Sequence, residues 1–257
     1  MILTFDIGNT NIVMCCVEGG DRRARFLFST SKERTVDEYS VTMELLIRRS
    51  GMDSGAVAGA IIASVVPQLT SVISRAVEIL FVCRPLVVGP GVKSGLNIRM
   101  DDPTELGGDL VAAAVAAAER YPLPCVIIDM GAATAIGVLD AMASYIGGLI
   151  CPGVALSGES LARGASQLSE ISLETPKHLI GKNTRDSMQS GILHGAAAML
   201  DGIIDRIEAE LGIPVSVAVT GDDASAVVPF CLREMHVDED LVMRGLWKIY
   251  RKNRESF

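Results

Sequence analysis

The sequence predicts an α/β protein with two lobes of similar fold and a cleft between them. Apolar runs of strand length alternate with stretches of helical periodicity along the chain. Each half opens on an apolar strand that ends in an Asp-x-Gly turn, at Asp6 and again at Asp129. Aromatic residues make up only 4%, and the aliphatic-rich remainder suits helices packed closely on sheets. We place the lobe boundary near Arg120, giving lobes of residues 1–120 and 121–257.

The first half is predicted to contain five strands and two helices. The strands cover residues 1–6, 11–18, 25–29, 58–66 and 86–88, and the helices cover residues 35–49 and 68–81. Gly19-Gly20-Asp21 is typical of a hairpin turn. In the first helix Tyr39, Met43, Leu46 and Ile47 recur at helical spacing, so they are expected to face the core.

The second half repeats this order of strands followed by helices. A long Ala-rich helix, predicted over residues 103–120, leads into it. Strands are expected at residues 125–129, 135–139, 145–150 and 215–219, and helices at residues 152–164, 184–211 and 238–250. The similar order in the two halves indicates a duplicated α/β fold.

Composition excludes several classes of function. The net charge of −8 argues against a general nucleic-acid binder, which needs clustered Lys and Arg. The six cysteines form no CxxC pair and the three histidines form no ligand motif, so a structural zinc site is not expected. The amino terminus lacks the basic region of a signal peptide, and no uncharged run is long enough for a membrane span. We therefore expect a cytoplasmic protein with neither nucleic acid nor membrane as partner.

Two turns are candidates for gripping phosphate. In Asp6-Ile-Gly-Asn-Thr-Asn11, a carboxylate, a hydroxyl and backbone N–H groups can together face a phosphate–Mg²⁺ unit, with Gly8 allowing close approach. An ordinary Asx-type hairpin turn is the alternative. Asp129-Met-Gly-Ala-Ala-Thr134 repeats the pattern about 120 residues later. Two such turns in matching places favour a nucleotide site formed by both lobes.

Three further stretches carry polar groups, two of them near helix starts and one in a loop that follows a strand. Asp109, in Gly107-Gly-Asp-Leu110, could accept the proton of an attacking hydroxyl, or could be an ordinary acid at a helix amino terminus. Thr184 could contact substrate, or could be the N-cap of the helix that follows. Gly89-Pro-Gly-Val-Lys93 is not a P-loop, because Val92 precedes the lysine where that motif has glycine.

Placed in order, these motifs resemble the type III pantothenate kinases over essentially the whole chain. The matching segments are Asp6–Asn11, Ser64–Pro67, Pro85–Ile98, Pro103–Asp109, Gly147–Gly153, Ile180–Thr184 and Met188–Gly191. The resemblance implies the actin-like, ribonuclease H-like ATPase fold shared by acetate and sugar kinases. It also implies transfer of the ATP γ-phosphoryl group to pantothenate, the first step of coenzyme A synthesis.

The resemblance further implies the roles of individual residues. Asp109 would be the general base, and Asp6 would hold Mg²⁺ through water. Asp129 would ligate a monovalent cation, potassium or ammonium. ATP phosphates would be bound by Asp6, Ile7, Gly8, Asn9, Thr10, Asn11, Ile12, Val13, Gly131, Ala132 and Thr134. Pantothenate would be bound by Met100, Gly107, Gly108, Asp109, Leu110 and Thr184. Family members are homodimers with the active site at the subunit interface, and the same is expected here.

Four positions depart from the family pattern. Leu110 stands where the family has arginine, Met100 where it has tyrosine, and Ala132 where it has threonine. A late Thr-Gly-Gly turn is Thr220-Gly-Asp222-Asp223 here. Losing one hydrogen bond to a charged group costs about 1.5–3 kcal/mol. Two alternatives therefore remain: a weakened or inactive paralogue that acts as a nucleotide-binding regulator, and a kinase of a different small alcohol.

Overall fold

The computed structural model describes residues 1–254, which form two sheets and seven α-helices. The first part contains β1 (Ile2–Ile7), β2 (Asn11–Glu18), β3 (Asp21–Ser29), α1 (Val36–Arg49), β4 (Gly59–Ser64), α2 (Pro67–Phe81), β5 (Leu86–Val87), β6 (Asn97–Ile98) and α3 (Gly108–Arg120). The second part contains β7 (Cys125–Met130), β8 (Ala133–Leu139), β9 (Ser144–Pro152), α4 (Val154–Gly164), α5 (Thr184–Leu211), β10 (Ser216–Thr220), α6 (Ala224–Val227), β11 (His236–Val237) and α7 (Leu241–Arg254).

The two sheets have the same strand order and directions, which confirms the predicted duplicated α/β fold. The first sheet has the order β3-β2-β1-β4-β5. Strands β1 to β3 are antiparallel neighbours, while β4 and β5 run parallel to β1. The second sheet contains β9-β8-β7-β10-β11 in matching directions, with β6 added beside β9.

The chain forms two compact units that differ from the predicted lobes at the carboxyl end. Unit 1 comprises Met1–Leu96, Asp101–Glu119 and the segment that starts at Asp240, and unit 2 comprises Asn97–Met100 and Arg120–Glu239. One crossing between the units lies between Glu119 and Arg120. Helix α7, however, packs on β1 and β4 of unit 1 rather than joining the second lobe.

Unit 1 has helices on both faces of its sheet. Helix α1 begins with a capping box. The Thr35 hydroxyl accepts a hydrogen bond from the Glu38 N–H, and the Glu38 carboxylate accepts one from the Thr35 N–H. Tyr39, Met43 and Ile47 of α1 are fully buried, as their spacing predicts. On the opposite face α7 covers β1, where the Thr4 hydroxyl lies 3.6 Å from the Met243 sulfur.

The helix predicted over residues 103–120 starts later than expected, and this prediction is wrong at its amino end. Residues Pro103–Glu105 form a separate 3₁₀ turn, capped by the Asp102 carboxylate, which accepts from the Thr104 N–H at 2.8 Å. Helix α3 begins only at Gly108, because Gly107-Gly108 disfavours a continuous helix. The interruption places Asp109 in the first turn of α3.

Candidate active site

The first predicted phosphate turn connects β1 to β2 and is closed by backbone hydrogen bonds. The Gly8 N–H donates to the Asn11 carbonyl at 3.0 Å, and the Thr30 hydroxyl donates to the Gly8 carbonyl at 2.7 Å. A Cβ on Gly8 would lie 3.0 Å from the Asn11 oxygen, so glycine suits this tight turn. Asn9 and Thr10 at its tip are exposed, and Asp6 just before it is half-buried.

The eight residues predicted to bind ATP phosphates in unit 1 include both buried and exposed side chains. Ile7 and Ile12 are fully buried, and they face each other in the β1–β2 ladder. Their side chains belong to the core, so they hold the turn in place. Surface of the turn comes from Gly8, Asn9 and Thr10.

Asp109 follows two glycines, and its carboxylate lies close to the first of them. Its carboxylate accepts from the Leu110 N–H at 2.8 Å. Burial raises the pKa of Asp109 above its usual value, and this hydrogen bond opposes the shift. A Cβ on Gly107 would approach the Asp109 carboxylate to within 3.0 Å, and a Cβ on Gly108 would lie 3.2 Å from Val88.

The Asp6 turn and the Asp109 turn lie at the same edge of the unit 1 sheet. The Val65 N–H, directly after β4, donates to the Ile7 carbonyl at 3.0 Å, and the Val65 side chain adjoins Gly107. Val88, directly after β5, adjoins Gly108. These positions mark the carboxyl ends of three parallel strands, where open α/β sheets bind ligands. The structure therefore brings the predicted base and the first phosphate turn to one edge.

The second phosphate turn occupies the equivalent place in unit 2. Asp129 on β7 pairs in register with Ala135 and Thr220, as Asp6 pairs with its two neighbouring strands. Gly131 donates its N–H to the Ala133 carbonyl at 3.1 Å, and Ala132 is exposed at the tip. Thr134 is only 1% exposed, so its hydroxyl is covered in this structure.

Two glycines that support the second turn are missing from the predicted site residues. A Cβ on Gly153, at the start of α4, would approach the carbonyl oxygens of Gly131 and Ala132 to within 3.0 Å. Gly221, after β10, has a φ of +99°, and its Cβ would clash with the Met130 backbone. The sequence signal is a glycine directly before a predicted helix, for Gly153, or directly after a predicted strand, for Gly221. The backbone atoms that a Cβ would approach, however, are remote in sequence.

Acidic side chains stand beside this turn. The Asp223 N–H donates to the Met130 carbonyl at 3.1 Å, which fixes Asp223 against the end of β7. Partial burial, together with the neighbouring Asp222 carboxylate, raises the pKa of Asp223. A polyanion bound at this edge therefore meets negative charge, and a bound cation would reduce the repulsion.

The two remaining substrate candidates lie in unit 2. Thr184 is the first residue of α5, but it is not the N-cap, so that alternative is wrong. Asn183 is the cap, since its side-chain oxygen accepts from the Asp186 N–H at 2.8 Å. Thr184 is exposed and lines a cavity of about 560 Å³ together with Lys182. Met100 is half-buried and ends the segment that follows β6.

The donor atoms at both turns suit hard cations. Oxygen atoms of Asp6, Asn9 and Thr10 in unit 1, and of Asp129 in unit 2, are of the kind that Mg²⁺ and monovalent cations prefer. Among residues 1–254 no group of three or more His, Cys, Asp or Glu side chains is placed to hold a metal by itself. Across the same residues, no helix has both the length and the apolarity to cross a membrane.

Comparisons with known proteins agree with these features. The family model for type III pantothenate kinase matches residues 2–206. A type III pantothenate kinase from Myxococcus xanthus is 40% identical over 256 residues, covering 100% of both chains.

Solved structures show the same fold. Component A of (R)-2-hydroxyglutaryl-CoA dehydratase from Acidaminococcus fermentans has a TM-score of 0.58 at 13% identity, covering 100% of this chain and 99% of its own. A provisionally assigned N-acetylglucosamine kinase from Porphyromonas gingivalis has a TM-score of 0.52 at 15% identity, covering 99% and 100%. The fold class and the family expected from the sequence are thus confirmed. The chain belongs to the type III pantothenate kinase family.

Proposed function

We propose that this chain transfers the γ-phosphoryl group of ATP to the terminal hydroxyl of pantothenate, giving 4'-phosphopantothenate for coenzyme A synthesis. The observation that carries the proposal is Asp109, half-buried, raised in pKa and held at the sheet edge that also presents the Asp6 turn. The full-length match to the family supports a kinase rather than a regulator that only binds nucleotide.

Asp109 acts as the general base. Its carboxylate accepts the proton of the pantothenate hydroxyl as that oxygen attacks the γ-phosphorus. A base with a pKa above the usual aspartate value takes up the proton more readily, provided that it is ionised at the working pH. Burial of Asp109 supplies this shift, and the glycine at position 107 leaves room for the carboxylate.

The two turns bind the ATP phosphates. In unit 1, Gly8 to Asn11 offer backbone N–H groups and small polar side chains, while Asp6 holds Mg²⁺ through water. Gly131 and Ala132 supply backbone contacts in unit 2, and the buried Thr134 completes that turn. Asp129 would hold the monovalent cation, potassium or ammonium. Bound cations would supply positive charge against the transferring phosphoryl group.

The pantothenate contacts that we propose in unit 1 are Gly107, Gly108 and Leu110, and those that we propose in unit 2 are Met100 and Thr184. Leu110 provides no charge for the pantothenate carboxylate, where the family has arginine. Loss of one charged hydrogen bond corresponds to roughly 10–200-fold in affinity. We therefore expect Leu110→Arg to lower the KM for pantothenate, while Leu110→Met, of similar size and uncharged, leaves it unchanged.

We further propose a cytoplasmic homodimer with its active sites at the subunit interface. Unit 2 exposes several large apolar side chains, including Ile150 at 82% and Ile180 at 80% exposure. Contiguous exposed apolar surface marks protein interfaces, so we propose that these side chains lie in the subunit interface. Sedimentation should give twice the monomer mass, and Ile150→Asp with Ile180→Asp should shift it to the monomer. A monomeric wild-type protein with full activity would contradict the dimer.

Product identification tests the activity itself. Purified protein is incubated with ATP, Mg²⁺ and potassium, and with pantothenate or a panel of other small alcohols. Mass spectrometry should find phosphopantothenate as the main product, formed far more slowly by Asp109→Asn. Preferential phosphorylation of another alcohol would exclude pantothenate as the substrate.

A further inference from the structure

A cavity of about 610 Å³ beside β5, the outermost strand of the unit 1 sheet, involves none of the predicted site residues. Its walls come from α2, from the stretch around β5 and from the end of α7. Strand β5 is the edge strand, and among residues 1–254 it pairs with β4 alone. One side of its backbone therefore has no neighbouring strand, and the cavity lies where α2 and α7 flank it.

The cavity is cationic in a chain whose net charge is −8. Arg84 and Arg254 both line it, and neither forms an ion pair within the described part of the chain. Glu78 is its one acidic lining residue, and this carboxylate is paired with Arg75, outside the cavity, at 3.1 Å. Among residues 1–254, these two guanidinium groups thus have no carboxylate partner.

The polar groups around these arginines are already engaged. The Asn253 side chain accepts from the Lys93 N–H at 3.1 Å and donates to the Lys93 carbonyl at 3.1 Å. Tyr250 is 7% exposed, and its ring lies 5.4 Å from the Arg254 guanidinium carbon, a cation–π arrangement that restrains Arg254. The wall is therefore fixed, while the guanidinium N–H groups keep donors for a ligand.

Pro85 and Leu86 add an apolar surface beside the charges. Arginine forks match the two oxygens of a phosphate or carboxylate group, and a cavity of this volume holds a ligand of metabolite size. We propose that the cavity binds a small organic oxyanion. Its anionic group pairs with Arg84 and Arg254, and its carbon skeleton packs on Pro85 and Leu86.

Titration of the isotope-labelled full-length chain with pyrophosphate and with citrate tests this site. Amide NMR signals of Leu86, Val87 and Arg254 should shift saturably with at least one of the probes. The responding probe identifies the anionic group as phosphate or carboxylate. Signals of Gly8 and Gly131 report separately on binding at the predicted ATP turns, so the two sites are distinguished.

Variants decide whether the arginines carry the binding. Arg84→Gln and Arg254→Gln should each weaken the affinity for the responding probe by roughly 10–200-fold, because each removes a charged hydrogen bond. Arg84→Lys keeps the charge but not the fork, so its affinity should lie between that of the glutamine variants and that of wild type. Arg48→Gln on α1, where Arg48 forms an exposed pair with Glu44, makes the same charge change elsewhere and should have no effect. No saturable shift with either probe, or equal weakening by Arg48→Gln, would overturn the proposal.

Discussion

Replacing Gly107 by alanine tests how the general base is positioned. A Cβ at this position would come within 3.0 Å of the Asp109 carboxylate, whereas relaxed non-bonded contacts lie at about 3.5 Å or more. The carboxylate must therefore move by more than about 0.5 Å. It sits at the end of a short rotatable side chain, so stability should fall by no more than about 1 kcal/mol. The displaced base, however, loses its alignment with the attacking hydroxyl.

Misplacement of a reacting group by about 1 Å can cost about 100-fold in rate, so we expect kcat to fall by about 10–100-fold. Steady-state kinetics with pantothenate and ATP measure this, and urea unfolding measures stability. Gly195→Ala is the matched control, since nothing lies within 4 Å of a Cβ at that helical position. Its kcat should be unchanged and its stability slightly higher. A folded Gly107→Ala protein with wild-type kcat would refute the positioning argument.

Three further predictions follow from the same contacts. Burial raises the pKa of Asp109, so the stability that the protonated carboxyl contributes is full below the usual aspartate pKa and is lost as pH rises through the raised value. Asp109→Asn should therefore have a higher Tm than wild type at neutral pH. At acidic pH the two proteins should have the same Tm. Gly153→Ala should destabilise by about 1–3 kcal/mol in urea unfolding, since its Cβ meets backbone oxygens, while Gly164→Ala, with open space around it, stays within about 0.5 kcal/mol. Removing the helix cap with Asn183→Ala should cost about 1 kcal/mol, whereas Thr184→Ala should leave stability nearly unchanged while raising the KM for pantothenate.

The duplicated fold could be predicted because its strongest signals are local. Apolar strands end at Asp6 and Asp129, and these turns occupy equivalent places in two sheets of matching order. The face of α1 could be predicted for the same reason, since burial of Tyr39, Met43 and Ile47 follows from helical spacing.

Features that depend on remote contacts could not be predicted. Helix α7 joins unit 1 because Gly245 lets it approach the Ala112 backbone, a contact that no local pattern indicates. Strand β6 has only two residues, too few to show a period. At the site, Gly153 gains its importance only when α4 meets the turn after β7.

One kinetic comparison tests the central claim most directly. Initial rates of phosphopantothenate formation are measured for wild type and Asp109→Asn, with ATP and Mg²⁺, in the presence and absence of potassium. We expect turnover that requires pantothenate, rises with potassium and exceeds that of Asp109→Asn by about 10²–10⁴-fold, the usual contribution of a general base. Equal rates for the two proteins, or no phosphopantothenate from either, would contradict the account.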